Sequence, residues 1–391
     1  MGQDDLTARP SSADRTIVHI APSRIPGRAA NAFQVLKMAE ALSGLVDRVV
    51  LIATHGDGPP QPDVLRRTYG ISHLPDLRLL GAKGRFGIHL FNLRAALVAS
   101  RLSPALVLSR SVGAAAFAAR LGLPTVWECH APPRRAERLY WRLLSRARGF
   151  RRLVVISEAL AGIMRESHPE CRDLDILVAH DGVDISQFDG IPDAADARRQ
   201  VGRPPDRPVA AYAGHLYAGR GIELILDCAE ALPHWTFLIS GGMGEDVARV
   251  LEVVRRRGLE NVELTGFVEN AALPGTLAVA DVLLMPYQRR VMVSGGALDT
   301  ARWMSPLKMF EYLAMGRAII ASDLPVLREV LDDSVAALVE PDRAGDWIAS
   351  LRRLESPDCR ALLAATARDR ARRYAWSTRA GRIAEGLLDA V

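Results

Sequence analysis

The stretch "SPLKMFEYLAMGRAIIAS", residues 305–322, carries Lys308 and Glu311 three positions apart in an otherwise apolar run that stops at Gly316. On a helix that spacing puts a cation and a carboxylate on one face. Ser305 is a favoured N-cap, and Pro306 suits the first helical position, where an N–H is not needed. The amides of Leu307 and Lys308 then leave the helix end unpaired. With the helix dipole they form an anion site, to which Lys308 adds a full charge. Glu311 lies about 7.5 Å beyond Pro306 along the axis at the α-helical rise. A diphosphate at the helix end and a ribose diol at the carboxylate fit that geometry. A plain Lys–Glu pair on a capped amphipathic helix fits the same residues.

A second stretch, "VAAYAGHLYAGRGIELIL" (209–226), shifts the balance. A strand runs into Gly214, a loop follows, and Arg220 opens the next helix. Glycine allows backbone to approach a ligand, and an arginine at a helix start can grip phosphate with two prongs. A solvated arginine in an ordinary strand–turn–helix is the competing reading. Both stretches fall in one predicted domain, which makes their coincidence informative.

These side chains need a frame. The chain has 391 residues, enough for two domains of roughly 150–200 residues. Continuous apolar runs at 16–21, 48–54, 106–110, 124–130 and 152–157 alternate with helical segments such as 31–42 and 91–102. The alternation restarts at 209–214, 236–242, 262–267, 280–287 and 317–322, with helices at 221–232, 245–257 and 306–315. Strands apolar at successive positions belong to parallel sheets covered on both faces. The reading is two doubly wound Rossmann-like α/β domains, whose ligands lie beyond the carboxyl ends of the strands. The boundaries are a disordered tail at 1–15, a first domain at 16–188, a Pro/Gly/Asp/Arg-rich linker at 189–208, a second domain at 209–372, and a C-terminal helix at 373–391 packing back toward the first domain.

Charge separates the halves. Residues 1–190 hold 25 Lys+Arg against 18 Asp+Glu, and residues 191–391 hold 25 against 27, so the excess of +7 lies in the first half. An anionic partner for that half follows. Only Lys37, Lys83 and Lys308 are lysines, which singles out the one at the helix start. Cys129, Cys171, Cys228 and Cys359 show no metal-ligand spacing and read as free thiols in a reducing compartment. No apolar run reaches membrane-spanning length, and the expected location is the cytoplasm.

Several ordered motifs resemble the retaining nucleotide-sugar glycosyltransferases of family 4, which have the GT-B fold of two Rossmann-like domains facing across a cleft. "YAGHLYAGRGIELIL" resembles that family's glycine–basic loop on the donor diphosphate, which implies this role for Gly214 and Arg220, with His215 where the family commonly has arginine. "NVELTGFVENAALPGTLAVADVLLMPY" (261–287) is similar to its base-binding segment, implying that Phe267 and Val268 line the nucleobase. "SPLKMFEYLAMGRAIIASDLPVLREVL" is similar to its donor-binding helix, implying that Glu311 holds the ribose hydroxyls, with Ser305, Pro306, Leu307 and Lys308 as the donor-binding residues at the helix start. "ILVAHDGVDISQF" (176–188) looks like the family's turn before the interdomain linker. The family pattern has a further glutamate eight positions before Glu311; Trp303 stands there, so the sugar contacts of that acid fall to other groups, such as backbone amides near 294–297 or 304–307.

In the first half, "HIAPSRIPGRAANAFQVLKMAEAL" (19–42) resembles the first strand–loop–helix of the family, with Gly27 at the reacting centre and Arg28 beside it. "PTVWECHAPPRRAER" ends a strand at Glu128 and His130; the resemblance implies that His130 touches the reacting sugar, against the alternative of a satisfied strand-end histidine. Ser157-Glu158 matches a family helix start, which capping alone also explains. The implied reaction is metal-independent transfer of a hexose, with His130, Arg220 and Lys308 as catalytic candidates and no cofactor beyond the nucleotide sugar. Uridine is the expected base and guanosine the next.

The expected acceptor is a glycan or a lipid-linked sugar. Eight arginines in 132–152, among them Arg134, Arg135, Arg138, Arg142 and Arg146, alternate with Leu, Tyr and Trp. A basic amphipathic helix reads as an element for an anionic membrane surface, peripheral at the inner face of the plasma membrane. A core-packed helix with a solvated arginine face reads equally well. Nucleic acid is not expected, because no stacking platform or binding motif accompanies the arginines. Two other readings use the same fold: a nucleotide-sugar 2-epimerase and a noncatalytic nucleotide-sugar-binding subunit. A nicotinamide dehydrogenase is disfavoured, since no GxGxxG follows the first strand of either half.

Overall fold

The computed structural model describes residues 15–84, 86–292 and 299–388; the tail expected before Arg15 and the amides near 294–297 lie outside them. The first half forms a seven-stranded sheet of β1 (Thr16–Ile25), β2 (Arg48–His55), β3 (Asp76–Leu80), β4 (Leu106–Ser109), β5 (Thr125–Cys129), β6 (Phe150–Val155) and β7 (Ile176–Val178). Its order is β3-β2-β1-β4-β5-β6-β7. The second half forms β8 (Val209–Ala213), β9 (Thr236–Ser240), β10 (Val262–Gly266), β11 (Val282–Met285), β12 (Ala318–Ser322) and β13 (Ala337–Val339). Their order is β10-β9-β8-β11-β12-β13. Every strand pairing is parallel.

The apolar strands are buried on both faces, as continuous hydrophobic runs require. On β1, Ile17, Ala21 and Ile25 pack with residues of the helix Ala30–Leu42, while Val18 and Ile20 pack with the helices Gly87–Ser100 and Val112–Arg120. Strand order reverses between β1 and β4 and again between β8 and β11. Diverging connections at such points open a crevice. The loops after β1 and β8 carry Gly27-Arg28 and Gly214–Arg220.

Three strands escape the apolar-run criterion: β3, β7 and β13, each at a sheet edge. An edge strand is covered less completely, so β3 ("DLRLL") and β7 ("ILV") are only half-buried throughout. The linker at 189–208 also holds more structure than its composition suggests. Asp193 caps a helix, Ala194–Gln200, whose Arg198 is buried and bonds Asp281 at 2.7 Å and the Val279 carbonyl at 2.8 Å. Losing one partner of such a buried pair costs about 3–5 kcal/mol. This segment is therefore fastened to the second domain. The helix Trp376–Ala384 crosses back to the first, where Trp376, Ala380 and Ile383 join the core beneath the helix Ala30–Leu42.

Candidate functional site

The loops at the two reversal points face each other across a cleft of about 380 Å³. Gly27, Arg28 and His130 line it from the first domain; Gly214, His215, Arg220, Phe267, Val268, Ser305, Pro306, Leu307, Lys308 and Glu311 line it from the second. Arg134, Arg135, Arg138, Arg142 and Arg146 do not: they are exposed, on or beside the helix Arg138–Ser145.

The helix start differs from the capping expected for it. The helix runs Leu307–Met315, Pro306 occupies the cap position in extended conformation, and no side chain caps it. The Ser305 hydroxyl instead accepts from the backbone N–H of Asp181 at 2.9 Å, a bond between the domains. The proline ring displaces the cap by one position, because its own geometry already suits the turn into the helix. The outcome for the ligand is unchanged: the amides of Leu307 and Lys308 precede the first intrahelical acceptors. Gly316 closes the far end in the left-handed conformation, φ 62°.

Lys308 is buried, and among the described residues its Nζ has no hydrogen-bond partner. It rests 3.7 Å from the ring centroid of Tyr212 and 5.2 Å from that of Tyr287. Burial, with Arg220 nearby, holds its ammonium well below the usual lysine range. An unpaired buried ammonium is costly unless an anion arrives. Gly214, at φ 144°, makes room for it: a Cβ there would stand 2.7 Å from Nζ. Arg220 donates to the Tyr287 hydroxyl at 3.0 Å and stacks 5.2 Å over its ring, while its Nε is buried without a partner among the described residues. His215 stacks on Tyr217 at 4.7 Å, and burial followed by Arg220 and Lys308 pushes its imidazole down to about 4. At neutral pH His215 is therefore an uncharged neighbour of the anion site.

Glu311 accepts from Asn270 Nδ2 at 2.9 Å. Burial lifts its carboxyl to about 7, although Asn270 and Lys308 oppose that. Asn270 also lines the cleft, and its Oδ1 has no partner among the described residues. Sequence reasoning quoted its segment yet missed its role; a polar residue three past Phe267 was the available signal. Phe267 is 43% exposed, and the Arg28 guanidinium lies 5.3 Å over its ring from the opposite domain. Tyr69, also missed, holds Gly27 from both sides: its hydroxyl accepts from the Gly27 N–H and donates to the Gly27 carbonyl, each at 2.7 Å.

On the first-domain wall, His130 Nε2 lies 2.6 Å from Glu128 Oε1. Asp181, beside the Gly-Val-Asp turn, lines the cleft too; burial raises its carboxyl, against His130, Arg379 and Arg110. Trp303 is held to this wall by the Ser157 hydroxyl, which donates to its carbonyl at 2.9 Å and accepts from Leu160 N–H as a helix cap. Ser157 thus both caps its helix and links the domains. Glu329, from the second domain, accepts from the amides of Glu158 and Ala159 at the same helix end, at 2.7 and 2.8 Å.

Fold and cleft together define a GT-B protein. Residues 32–187 match the family described as Glycosyltransferase Family 4, and residues 207–356 match Glycosyl transferases group 1. The two matched segments fall one in each domain. It is 26% identical over 222 residues to the putative teichuronic acid biosynthesis glycosyltransferase TuaH of Bacillus subtilis, covering 52% of each chain. It is 30% identical over 246 residues to the D-inositol 3-phosphate glycosyltransferase of Xylanimonas cellulosilytica, covering 58% of this chain and 56% of that one. The chain spans about half the length of the curated relatives it matches. In fold it is similar to Anabaena HepE in complex with UDP and glucose, with TM-score 0.72, 18% identity, and 96% and 99% of the two chains covered. The sucrose-phosphate synthase of Thermosynechococcus elongatus gives TM-score 0.74 at 19% identity, covering 96% of this chain and all of that one.

Proposed function

We propose that this protein is a retaining, metal-independent glycosyltransferase of family 4. It moves a hexose from a nucleotide diphosphate sugar, with uridine the favoured base, to a glycan or lipid-linked acceptor in cell-surface polysaccharide or glycolipid synthesis. One observation carries this reading: among the described residues Lys308 Nζ and Arg220 Nε lack partners beside a helix start, and with a carboxylate one turn further on they meet His130 of the other domain in a single cleft. A nucleoside diphosphate has its anionic and diol groups in that order.

The chemistry asked of these residues is to stabilise charge on the departing diphosphate. The bond from the anomeric carbon to the diphosphate oxygen breaks, and the acceptor oxygen bonds to that carbon on the same face. The acceptor's proton passes to the diphosphate oxygen just released. Arg220, Lys308 and the helix amides offset the charge left there. Glu311 and Asn270 fix the ribose, and domain closure excludes water.

The first test is calorimetric titration with UDP, GDP, ADP and TDP in EDTA, on the wild type and Glu311→Ala. One nucleotide is expected to bind tightly, and at least roughly tenfold more weakly to the variant, as loss of a charged hydrogen-bond acceptor implies. No binding by any nucleotide, or equal binding by the variant, would sink the assignment.

For the acceptor side the reading includes an anionic membrane surface. The helix Gly87–Ser100 buries Phe91, Ala95, Ala96 and Ala99, yet Leu90, Leu93 and Leu97 form an exposed stripe on its opposite side. The helix Arg138–Ser145 buries Trp141 and Leu144 and exposes Leu139 and Leu143 beside Arg138 and Arg142. Both flank the helix Val112–Arg120, and His89 Nδ1 meets the Tyr140 hydroxyl at 2.7 Å between them. Apolar stripes rimmed by arginine suit a lipid interface. No described helix is long and apolar enough to cross a membrane. Vesicles of phosphatidylglycerol should cosediment with the protein, those of phosphatidylcholine much less, and Leu93→Asp/Leu97→Asp should abolish the difference. Equal binding to both lipids would remove this element of the reading.

A further inference from the structure

Glu128 is a carboxylate in an apolar layer. It sits on β5 with 4% of its surface exposed, on the strand face that it shares with Val126 of the core. Burial opposes its charge, but Arg379 and then His130 hold its carboxyl well below the usual range. Glu128 Oε1 accepts from Arg379 Nη2 at 3.2 Å, in addition to its 2.6 Å contact with His130 Nε2.

Arg379 belongs to the helix Trp376–Ala384, 251 positions away in sequence, and is itself 4% exposed. Each of its nitrogens has a partner. Nε donates to the His180 carbonyl at 2.9 Å, Nη2 to that of Ala179 at 3.3 Å, and Nη1 lies 3.4 Å from Met38 Sδ. The guanidinium is thus fixed by backbone on one side and aimed at Glu128 on the other.

An ionised carboxylate only accepts hydrogen bonds, so the short contact requires the proton of His130 to sit on Nε2. Burial, followed by Arg110, keeps the ring from taking a second proton easily. His19, Arg110 and Asp181 are the other ionisable groups around the pair. The Nδ1 lone pair then remains for the cleft that His130 lines.

We propose that Arg379 is a positioning residue for His130: by pairing with Glu128 it fixes the Nε2–H tautomer, so that Nδ1 accepts a hydrogen bond from a sugar hydroxyl. The helix Trp376–Ala384 thereby sets the state of an imidazole in the cleft, and its docking on the first domain becomes part of the site. The effect on rate rests on the glycosyl-transfer reading; the tautomer does not.

The test is long-range 1H–15N correlation of 15N-histidine-labelled protein, with His130→Gln to assign the ring, alongside kcat, KM and UDP affinity. In Arg379→Met the buried carboxyl of Glu128 takes a proton and donates it, so His130 should move to the Nδ1–H tautomer. The expected rate loss is about 10²-fold in kcat, the scale of a misaligned substrate contact, with UDP affinity unchanged. Arg379→Lys should retain the wild-type tautomer and most of the rate. An unchanged His130 spectrum in Arg379→Met overturns the proposal. If that variant does not fold, Arg379→Gln decides: an unchanged His130 spectrum there overturns it as well. A tautomer that responds in a protein that turns over no donor leaves this relay standing and removes the proposed function instead.

Discussion

Lys308→Met is expected to lower sugar transfer by about 10³-fold without lowering the melting temperature at neutral pH. The first half follows from position. Lys308 Nζ stands at the end of the helix Leu307–Met315, in the cleft, with its hydrogens unclaimed among the described residues. A preorganised donor aimed at developing charge contributes roughly 10²–10³-fold, and a bound diphosphate favours the charged form of this one. The second half follows from burial. The folded-state ammonium is held well below its usual range by desolvation and Arg220, so below the unfolded value the unfolded chain takes up a proton more readily than the fold does. Stability is therefore lost as pH falls from that value, and at pH 7 burial of this group destabilises the fold. Methionine fills the volume without the charge, though it gives up the contacts with Tyr212 and Tyr287. Single-turnover rates and thermal unfolding at pH 7 check both halves. A variant that transfers at the wild-type rate would remove Lys308 from the machinery. A large fall in melting temperature would make it structural.

Much of this arrangement was legible in the sequence, for a physical reason. Interior strands of a doubly covered parallel sheet are apolar at most positions, so β1, β2, β8 and β12 announce themselves; edge strands such as β3 need not be, and did not. The helix at 307–315 was legible because a terminal glycine and an apolar face are local signals. Its cap was not, because Ser305 bonds Asp181, 124 positions away. Asn270 shows the same limit. Its effect on Glu311 depends on a loop 41 positions away in sequence meeting the helix. The arginine-rich linker misled for a related reason: the partner of Arg198 is Asp281, in another loop altogether. Sequence patterns report what a residue needs locally, and the pairings that tune a site are mostly made at a distance.

Glu311 carries the second large effect, and it runs in opposite directions for stability and binding. Its ordinary carboxyl value is 4.5, and in the empty fold it rises to about 7 because burial outweighs Asn270 and Lys308. Between those values the folded protein keeps a proton that the unfolded chain has lost. Stability must therefore fall as pH rises through that window and stay reduced above it. The loss is on the order of 3 kcal/mol at most, from the size of the shift. Glu311→Gln removes the titration, so it should be more stable than wild type at pH 8 and no different near pH 4.5, read by urea unfolding at both. The same substitution should weaken UDP binding at pH 8, where the wild-type carboxylate is free to accept from the ribose hydroxyls. It should also erase the preference for UDP over 2′-deoxy-UDP, since a neutral amide loses the stronger, charge-assisted bond. A variant that gains stability only above neutrality while losing discrimination between the two sugars would show one carboxylate held at a cost to the fold for the sake of the ligand. If stability is equal at both pH values, Glu311 is already ionised in the free protein, and Lys308 rather than Asn270 is its effective partner.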